Sequence, residues 1–177
     1  MGRLVTFSDP QPLTHLIERI ARGVGTPKGF PVAIPQNRAV EDIQVRTVAI
    51  CAGSGGSVLK DVKADLLFTG ELSHHEALAV TERGASVVTL FHSNTERGFL
   101  RSVLKGKLEK VLKEEWEKIR KEEAAEDMEG WEDAVNDKSV EVAVSEADRD
   151  PFGIVILQSS EQEGTRLDGG GKKKDGK

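Results

Sequence analysis

The sequence predicts an α/β fold in which a mixed, mainly parallel sheet is flanked by helices. Three short apolar runs, at residues 45–50, 66–68 and 86–91, have the length and composition of buried strands. A turn and a helical pattern separate each run from the next. Strands that alternate with helices in this way are typical of parallel sheets with right-handed crossovers.

The N-terminal third is predicted to begin with a weakly alternating strand at residues 3–7. Ser8 or Asp9 is then expected to cap a helix that begins at about residues 10–13, because either side chain can accept a hydrogen bond from the first helical amides. A short strand at residues 32–34 follows. The prolines on both sides of it favour an edge position in the sheet.

A glycine-rich turn at residues 52–57 connects the strand at 45–50 to a short helix predicted at 58–62. Two interpretations of this turn are open. It is either a tight structural turn or a place where backbone amides contact a phosphate or a carboxylate. The motif lacks the lysine of a phosphate-binding loop and the third glycine of a dinucleotide fingerprint. The pocket candidates within it are Gly53, Ser54, Gly55 and Gly56.

Ser73 and Glu76 are predicted to form a capping box at the start of the helix that follows the strand at 66–68. A further helix, from residue 95, carries an apolar stripe. The predicted units are an α/β core at 1–113, an acidic helical insertion at 114–137, a segment at 138–158 whose strand at 140–144 completes the core, and a disordered tail at 159–177.

The distribution of charge does not indicate direct nucleic-acid binding. Residues 114–137 carry a net charge of -8, which leaves +3 on the rest of a chain whose net charge is -5. A nucleic-acid surface would require clustered basic residues with aromatic residues between them. No apolar stretch approaches the roughly 20 residues that span a bilayer, and a lone cysteine, Cys51, fits a reducing compartment. We therefore expect a cytoplasmic protein, with nuclear and mitochondrial locations left open.

Ionisable side chains follow two neighbouring predicted strands, at the edge where open α/β sheets bind ligands. Glu71, His74 and His75 follow the first strand, and His92 and Glu96 follow the second. An imidazole and a carboxylate four residues apart could both reach one divalent ion, such as zinc, iron, nickel or manganese. Glu71 is a further carboxylate within reach, and with Arg97 it is a candidate for lining a substrate or anion pocket at this edge.

Several of these residues have a structural alternative. Glu96 could instead complete a capping box by bonding back to the amide of Ser93. Arg97 is a natural partner for a carboxylate or a phosphate ester in the pocket, or else for a surface salt bridge. His74 and His75 are adjacent at a helix start and point in different directions, so at most one of them is expected to join a given metal.

Three strings occur in an order and at separations that resemble the second half of the Nif-three-like family, the type 2 homologues of GTP cyclohydrolase I. They are CAGSGGSVL, ADLLFTGELSHHEAL and HSNTERGFL. The resemblance runs from GRLVTF to SEADRDPF and leaves out residues 114–137 and the tail. It implies the C-terminal half of the Nif-three-like α/β fold, two divalent metal ions and, often, a ring of six subunits.

In the pattern of that family, the His of HSNTERG and the Glu four residues later are metal ligands, which here are His92 and Glu96. A His-His pair and an Asp earlier in family members complete the dimetal site. The resemblance therefore implies a truncated chain with two of five ligands, which would bind metal weakly by itself. His74 and His75 belong to the TGE-x-SHH string of the second half and are carried over only as pocket-lining residues.

The expected function is that of a metal-dependent hydrolase of the GTP cyclohydrolase type 2-like kind, weak or inactive as an isolated chain. His74 or His75 would then be available as acid or base. The alternative is a non-catalytic regulatory protein, because the family is associated with transcriptional coactivators. In that case the acidic residues 114–137 would offer a surface to a basic partner.

Overall fold

A five-stranded sheet forms the centre of the fold. The computed structural model describes residues 2–123, 130 and 132–156. The strands lie in the order β1-β3-β4-β5-β2, with β3, β4 and β5 parallel and the two edge strands antiparallel. The predicted mixed α/β fold is therefore confirmed. The strands are β1 Arg3–Pro12, β2 Val32–Ala33, β3 Gln44–Ser54, β4 Leu66–Glu71 and β5 Ser86–Thr89.

Helices follow β1, β3, β4 and β5, as the alternating pattern predicts. They are α1 Leu13–Gly23, α2 Gly56–Leu59, α3 His74–Glu82, α4 Arg97–Phe99, α5 Lys105–Glu123 and α6 Glu132–Asn136. Two 3-10 turns, Val40–Asp42 and Ser93–Thr95, and a π-helical turn, Leu100–Leu104, complete the regular structure. Among the described residues, no helix combines the length and the apolar character that crossing a membrane requires.

Both faces of the sheet are covered. Its central strands are apolar at successive positions, as strands buried on both faces are. Successive residues of a strand point to opposite faces, so Leu66 and Leu67 of β4 belong to different core clusters. Leu13 and Leu16 of α1 cover the face of Leu66. Val80 of α3 covers the face of Leu67. The strand ends that carry the candidate site therefore lie at the edge of a rigid, doubly covered sheet.

The first strand is longer than the sequence predicts, whereas the first helix begins within the predicted range of residues 10–13. β1 continues to Pro12 because its last two residues still pair with β3 after a register irregularity. α1 therefore begins at Leu13, whose amide donates to the carbonyl of Ile43 over 2.9 Å. The helix caps predicted at Ser8 and Asp9 are wrong, since both residues lie within β1.

Three further boundaries differ from the prediction. The helix after the glycine-rich turn is Gly56–Leu59 and not 58–62. β5 ends at Thr89, because Phe91 has a φ of 65° that an extended strand does not allow. The strand predicted at 140–144 is wrong: these residues are irregular, and the outer edge of β5 is paired with β2 instead.

α5 runs across the predicted boundary at residue 114 and meets the short helix α6. The indole Nε1 of Trp116 donates to the carbonyl of Asp137 over 2.8 Å, which ties the two helices together. Residues 124–129 and the tail predicted to be disordered at 159–177 lie outside the described residues. The division of the chain into four units therefore stays a prediction.

Candidate metal centre

His92 lies at the carboxyl edge of the sheet, just beyond β5. The residue before it, Phe91, has a φ of 65°. This left-handed conformation is rare for a bulky side chain and costs on the order of 1–3 kcal/mol. The ring of Phe91 packs against Phe152, with ring centroids 6.1 Å apart. The resulting bend ends the strand and places His92 beside the last residue of β4.

Three side chains that the sequence placed at strand ends meet at this edge. The Nδ1 atom of His92 lies 2.9 Å from Oε1 of Glu71, and its Nε2 atom lies 3.6 Å from Oε1 of Glu96. All three side chains are about half exposed, at 49%, 51% and 48%. A ligand or ion from solvent can therefore reach them without any change in the fold.

The environment of His92 favours its charged form. The hydrogen bond from His92 to Glu71 raises the pKa of the imidazole above its ordinary value. Partial desolvation opposes this rise in pKa, while the charges of Glu96, Glu71 and Asp150 add to it. The site therefore favours a bound cation. When no metal ion is bound, that cation is the proton on His92.

Gly53 forms the wall of the space between His92 and Glu96. A Cβ atom on Gly53 would lie 2.8 Å from Oε1 of Glu96 and 3.0 Å from Nε2 of His92. Its φ of 67° is also a conformation that favours glycine. The backbone is fixed there because the amide of Gly53 donates to Oγ1 of Thr95 over 2.8 Å. A side chain at this position would displace Glu96 and His92 and would strain the backbone.

The rest of the glycine-rich turn is also packed closely. The amide of Gly55 donates to the carbonyl of Glu71 over 3.3 Å. A Cβ atom on Gly55 would meet the side chain of Thr69, and one on Gly56 would meet that of Glu76. Ser54, the last residue of β3, pairs with the end of β4. The amides of Gly53 and Gly55 are thus bonded within the protein, which favours the tight structural turn over an anion contact.

The capping box that was the structural alternative for Glu96 does not form. The amide of Ser93 donates to Oδ2 of Asp150 over 2.9 Å, and so does the hydroxyl of Ser93, again over 2.9 Å. Asp150 therefore takes the position that Glu96 would occupy in a capping box. The carboxylate of Glu96 is left free to face His92.

Asp150 is the residue of this site that the sequence reasoning missed. Its side chain is buried, and burial alone would raise the pKa of its carboxyl group. Hydrogen bonds from the amide of Phe152 and from Ser93 outweigh burial, so the pKa of Asp150 is lowered. The only signal in the sequence was the polar run SEADRDP, which does not indicate what its carboxylates bind.

Arg97 binds a carboxylate of the protein itself. Its guanidinium contacts Oδ2 of Asp148 at 3.1 Å and also donates to the carbonyl of Asp148. This is the salt-bridge alternative for Arg97. Together with Asp150, the interaction holds the segment around residues 148–152 against the turn that carries His92.

His74 and His75 begin α3, where Ser73 and Glu76 form the predicted capping box. Their rings are 5.4 Å apart in an edge-to-face arrangement, and both residues are exposed. His75 lines a groove of about 490 Å³ between α2 and α3. The hydrogen bonds and ion pairs of His92 in the described structure do not include either histidine.

The model of the family described as Duf34/NIF3 (NGG1p interacting factor 3) matches residues 1–126. The chain belongs to this family. A human relative, NIF3-like protein 1, is 36% identical over 155 residues, which are 88% of this chain and 34% of the relative. The yeast (Saccharomyces cerevisiae) protein NGG1-interacting factor 3 is 40% identical over 106 residues, which are 59% of this chain and 37% of the relative.

Solved structures related to NIF3 share the fold. A Bacillus cereus protein related to NIF3 superposes with a TM-score of 0.57 at 23% identity, over 88% of this chain and 36% of that protein. The Staphylococcus aureus protein SA1388 gives a TM-score of 0.54 at 18% identity, over 87% of this chain and 37% of that protein. The chain thus spans about a third of the length of the relatives that it matches.

The donors of this Duf34/NIF3 chain suit a shared divalent ion. Imidazole nitrogen and carboxylate oxygen are both common ligands of zinc and of iron, nickel and manganese. Two ligands that each lie about 2.0–2.2 Å from one ion are at most about 4.4 Å apart, and Nε2 of His92 and Oε1 of Glu96 lie 3.6 Å apart. Among the described residues, no group of three or more such side chains is arranged to hold a metal. The described structure thus brings together two potential ligands, Nε2 of His92 and Oε1 of Glu96.

Proposed function

We propose that this Duf34/NIF3 chain binds a divalent metal ion through His92 and Glu96 and contributes to a hydrolytic site of the GTP cyclohydrolase type 2-like kind. The observation that carries the proposal is the distance of 3.6 Å between Nε2 of His92 and Oε1 of Glu96. Both atoms face Gly53, which has no side chain to fill the space beside them. Zinc, iron, nickel and manganese all suit one nitrogen and one anionic oxygen donor.

The residues of the chain have separate roles in this proposal. His92 provides a neutral nitrogen ligand and Glu96 a negatively charged oxygen ligand. Gly53 leaves the space that the ion would need, and the segment that includes Asp150 holds the turn in place. When bound, the ion would supply Lewis-acid activation for hydrolysis at a phosphoester or a purine ring carbon. Proton transfer by His74 or His75 stays a prediction.

Two protein ligands give only weak binding, because each further coordination position is left to water. We therefore expect the isolated chain to hold metal with low affinity and to have weak activity or none. Association of several copies, which the family resemblance also implies, is part of the same proposal.

The metal content of the chain, measured at equilibrium with an excess of free Zn²⁺, tests the proposal. The wild type should bind Zn²⁺, whereas His92→Ala and Glu96→Ala should bind much less. His15→Ala is the matched control, since His15 is an exposed histidine on α1. Equal and negligible metal in the wild type and in His92→Ala would refute the proposal.

A second candidate function is regulatory protein binding. The observation that favours it is the name of the yeast relative, NGG1-interacting factor 3, which suggests a partner in transcriptional regulation. We infer that the acidic residues 114–137, with a net charge of -8, would bind a basic surface on such a partner. A deletion of residues 114–137 should abolish capture of that partner while the sheet stays folded. Partner capture that persists after the deletion would count against this function.

A further inference from the structure

We propose that Glu71 is the positioning residue of this site, because it holds His92 in the tautomer whose free nitrogen faces Glu96. The inference deepens the proposed metal-binding function and rests on it. It also changes the role predicted for Glu71 from the sequence, which was that of a residue lining a substrate or anion pocket.

The two nitrogens of the His92 imidazole have different partners. A neutral imidazole carries a proton on one nitrogen and a lone pair on the other, and an ionised carboxylate can only accept a hydrogen bond. Because Nδ1 of His92 lies 2.9 Å from Oε1 of Glu71, the proton must sit on Nδ1. The lone pair of the neutral ring therefore lies on Nε2.

Nε2 of His92 faces Oε1 of Glu96 at 3.6 Å, which is longer than a hydrogen bond. In the neutral ring, a lone pair and a carboxylate oxygen thus face the same space with no proton between them. Two such acceptors repel each other unless a cation lies between them. A carboxylate that fixes the outer nitrogen of a metal-binding histidine is a recurring arrangement in metalloproteins.

The close packing of the end of β4 places Glu71 beside His92. Oγ1 of Thr69 donates to the carbonyl of Gly53 over 3.0 Å, which joins the end of β4 to the glycine-rich turn. A Cβ atom on Gly70 would lie 2.6 Å from that same carbonyl oxygen and 3.0 Å from Cα of His92. Gly70 therefore allows the two strand ends to approach closely. Each residue of the Thr69-Gly70-Glu71 sequence contacts the site or its wall.

Nuclear magnetic resonance of 15N-labelled imidazole tests the tautomer without any metal. Because the pKa of His92 is raised, the spectra would be recorded at increasing pH until the signals of His92 stop changing and its ring is neutral. These signals would be assigned from their loss in His92→Gln. In the wild type, Nε2 should give the downfield shift of an unprotonated nitrogen. Glu71→Ala should move His92 to a mixture of tautomers. An equal mixture in the wild type, or one unchanged by Glu71→Ala, overturns the inference.

A titration with Zn²⁺ alone gives the second readout. Glu71→Ala should weaken binding about 10–100-fold, as changes to outer partners of metal ligands do. Glu71→Gln should lose less than about tenfold, since its amide oxygen can still accept from Nδ1. Glu82→Ala, an exposed carboxylate at the end of α3, is the matched control and should bind as the wild type does.

The two readouts separate the inference from the function on which it rests. If the wild type shows the expected tautomer but does not bind Zn²⁺, the metal-binding proposal fails and the metal-related role of Glu71 fails with it. If the wild type binds Zn²⁺ and Glu71→Ala binds equally well, only the positioning role fails. If Glu71→Gln is as weak as Glu71→Ala, Glu71 is itself a ligand and the positioning role is overturned.

Discussion

Gly53→Ala tests most directly whether the space beside His92 and Glu96 matters. The added Cβ atom would lie 2.8 Å from Oε1 of Glu96 and 3.0 Å from Nε2 of His92, so both side chains must move by several tenths of an ångström. The backbone φ of 67° adds strain, and a left-handed conformation costs an L-residue about 1–2 kcal/mol. The substitution should therefore lower both stability and metal affinity.

Gly84→Ala is the control that separates backbone strain from the loss of space beside His92 and Glu96. Gly84 has a φ of 88°, and a Cβ atom there would meet nothing within 4 Å. In a chain of this size about 1 kcal/mol corresponds to about 2–4 °C in Tm, so each variant should lower Tm by about 2–8 °C. Only Gly53→Ala should weaken Zn²⁺ binding, by at least about tenfold, or about 1.4 kcal/mol.

The assays are thermal unfolding of the metal-free chain and a Zn²⁺ titration of both variants. Comparable Tm values with weaker binding only in Gly53→Ala would support the role of Gly53 as the wall of the site. If Gly53→Ala binds Zn²⁺ as tightly as Gly84→Ala does, the space beside Gly53 is not where the ion binds.

Three further predictions concern stability. Leu66→Ala should lower the free energy of unfolding in urea by about 2–5 kcal/mol, because Leu66 is fully buried. Leu78→Ala should lower it far less, because Leu78 is partly exposed. Equal losses of stability in the two variants would contradict the assigned core. Ser73→Ala should cost about 1 kcal/mol by removing the side chain that accepts from the amide of Glu76, and an unchanged urea midpoint would contradict the cap. Burial would raise the pKa of Asp65, but hydrogen bonds from the backbone and hydroxyl of Thr47 and from the amide of Arg46 lower it overall. The stabilisation by Asp65 is therefore fully present above the carboxyl pKa of the unfolded chain, about 3.9, and is lost as the pH falls through the lowered pKa. The stability difference between wild type and Asp65→Asn should shrink below about pH 4, and a constant difference down to pH 2 would contradict the assignment.

The central strands were predictable because their apolar residues are continuous in sequence, as at Leu66 and Leu67. The pairing of His92 with Glu96 was predictable as well, since four residues of spacing bring two side chains to one face of a turn or helix start. The predicted strand at 140–144 failed for a physical reason. Periodicity indicates that a segment suits a strand, but it does not indicate whether an edge of the sheet is free to pair with that segment. Here the outer edge of β5 is already paired with β2.

Contacts between distant segments could not be predicted from the sequence. Glu71 and His92 are 21 residues apart, and they meet because β4 and β5 pair in a parallel register that brings their ends together. Asp150 lies 57 residues from Ser93, whose amide and hydroxyl it binds. No local pattern specifies which of several acidic residues returns to the site. For this reason Asp150 was missed, although it binds Ser93 in the way that the capping-box alternative proposed for Glu96.

The measurement that tests the central claim most directly is a calorimetric titration of the metal-free chain with Zn²⁺. The account predicts saturable binding in the wild type that is lost in both His92→Ala and Glu96→Ala and retained in the exposed control His15→Ala. Binding that survives the loss of either His92 or Glu96, or a wild type that does not bind Zn²⁺, would contradict it.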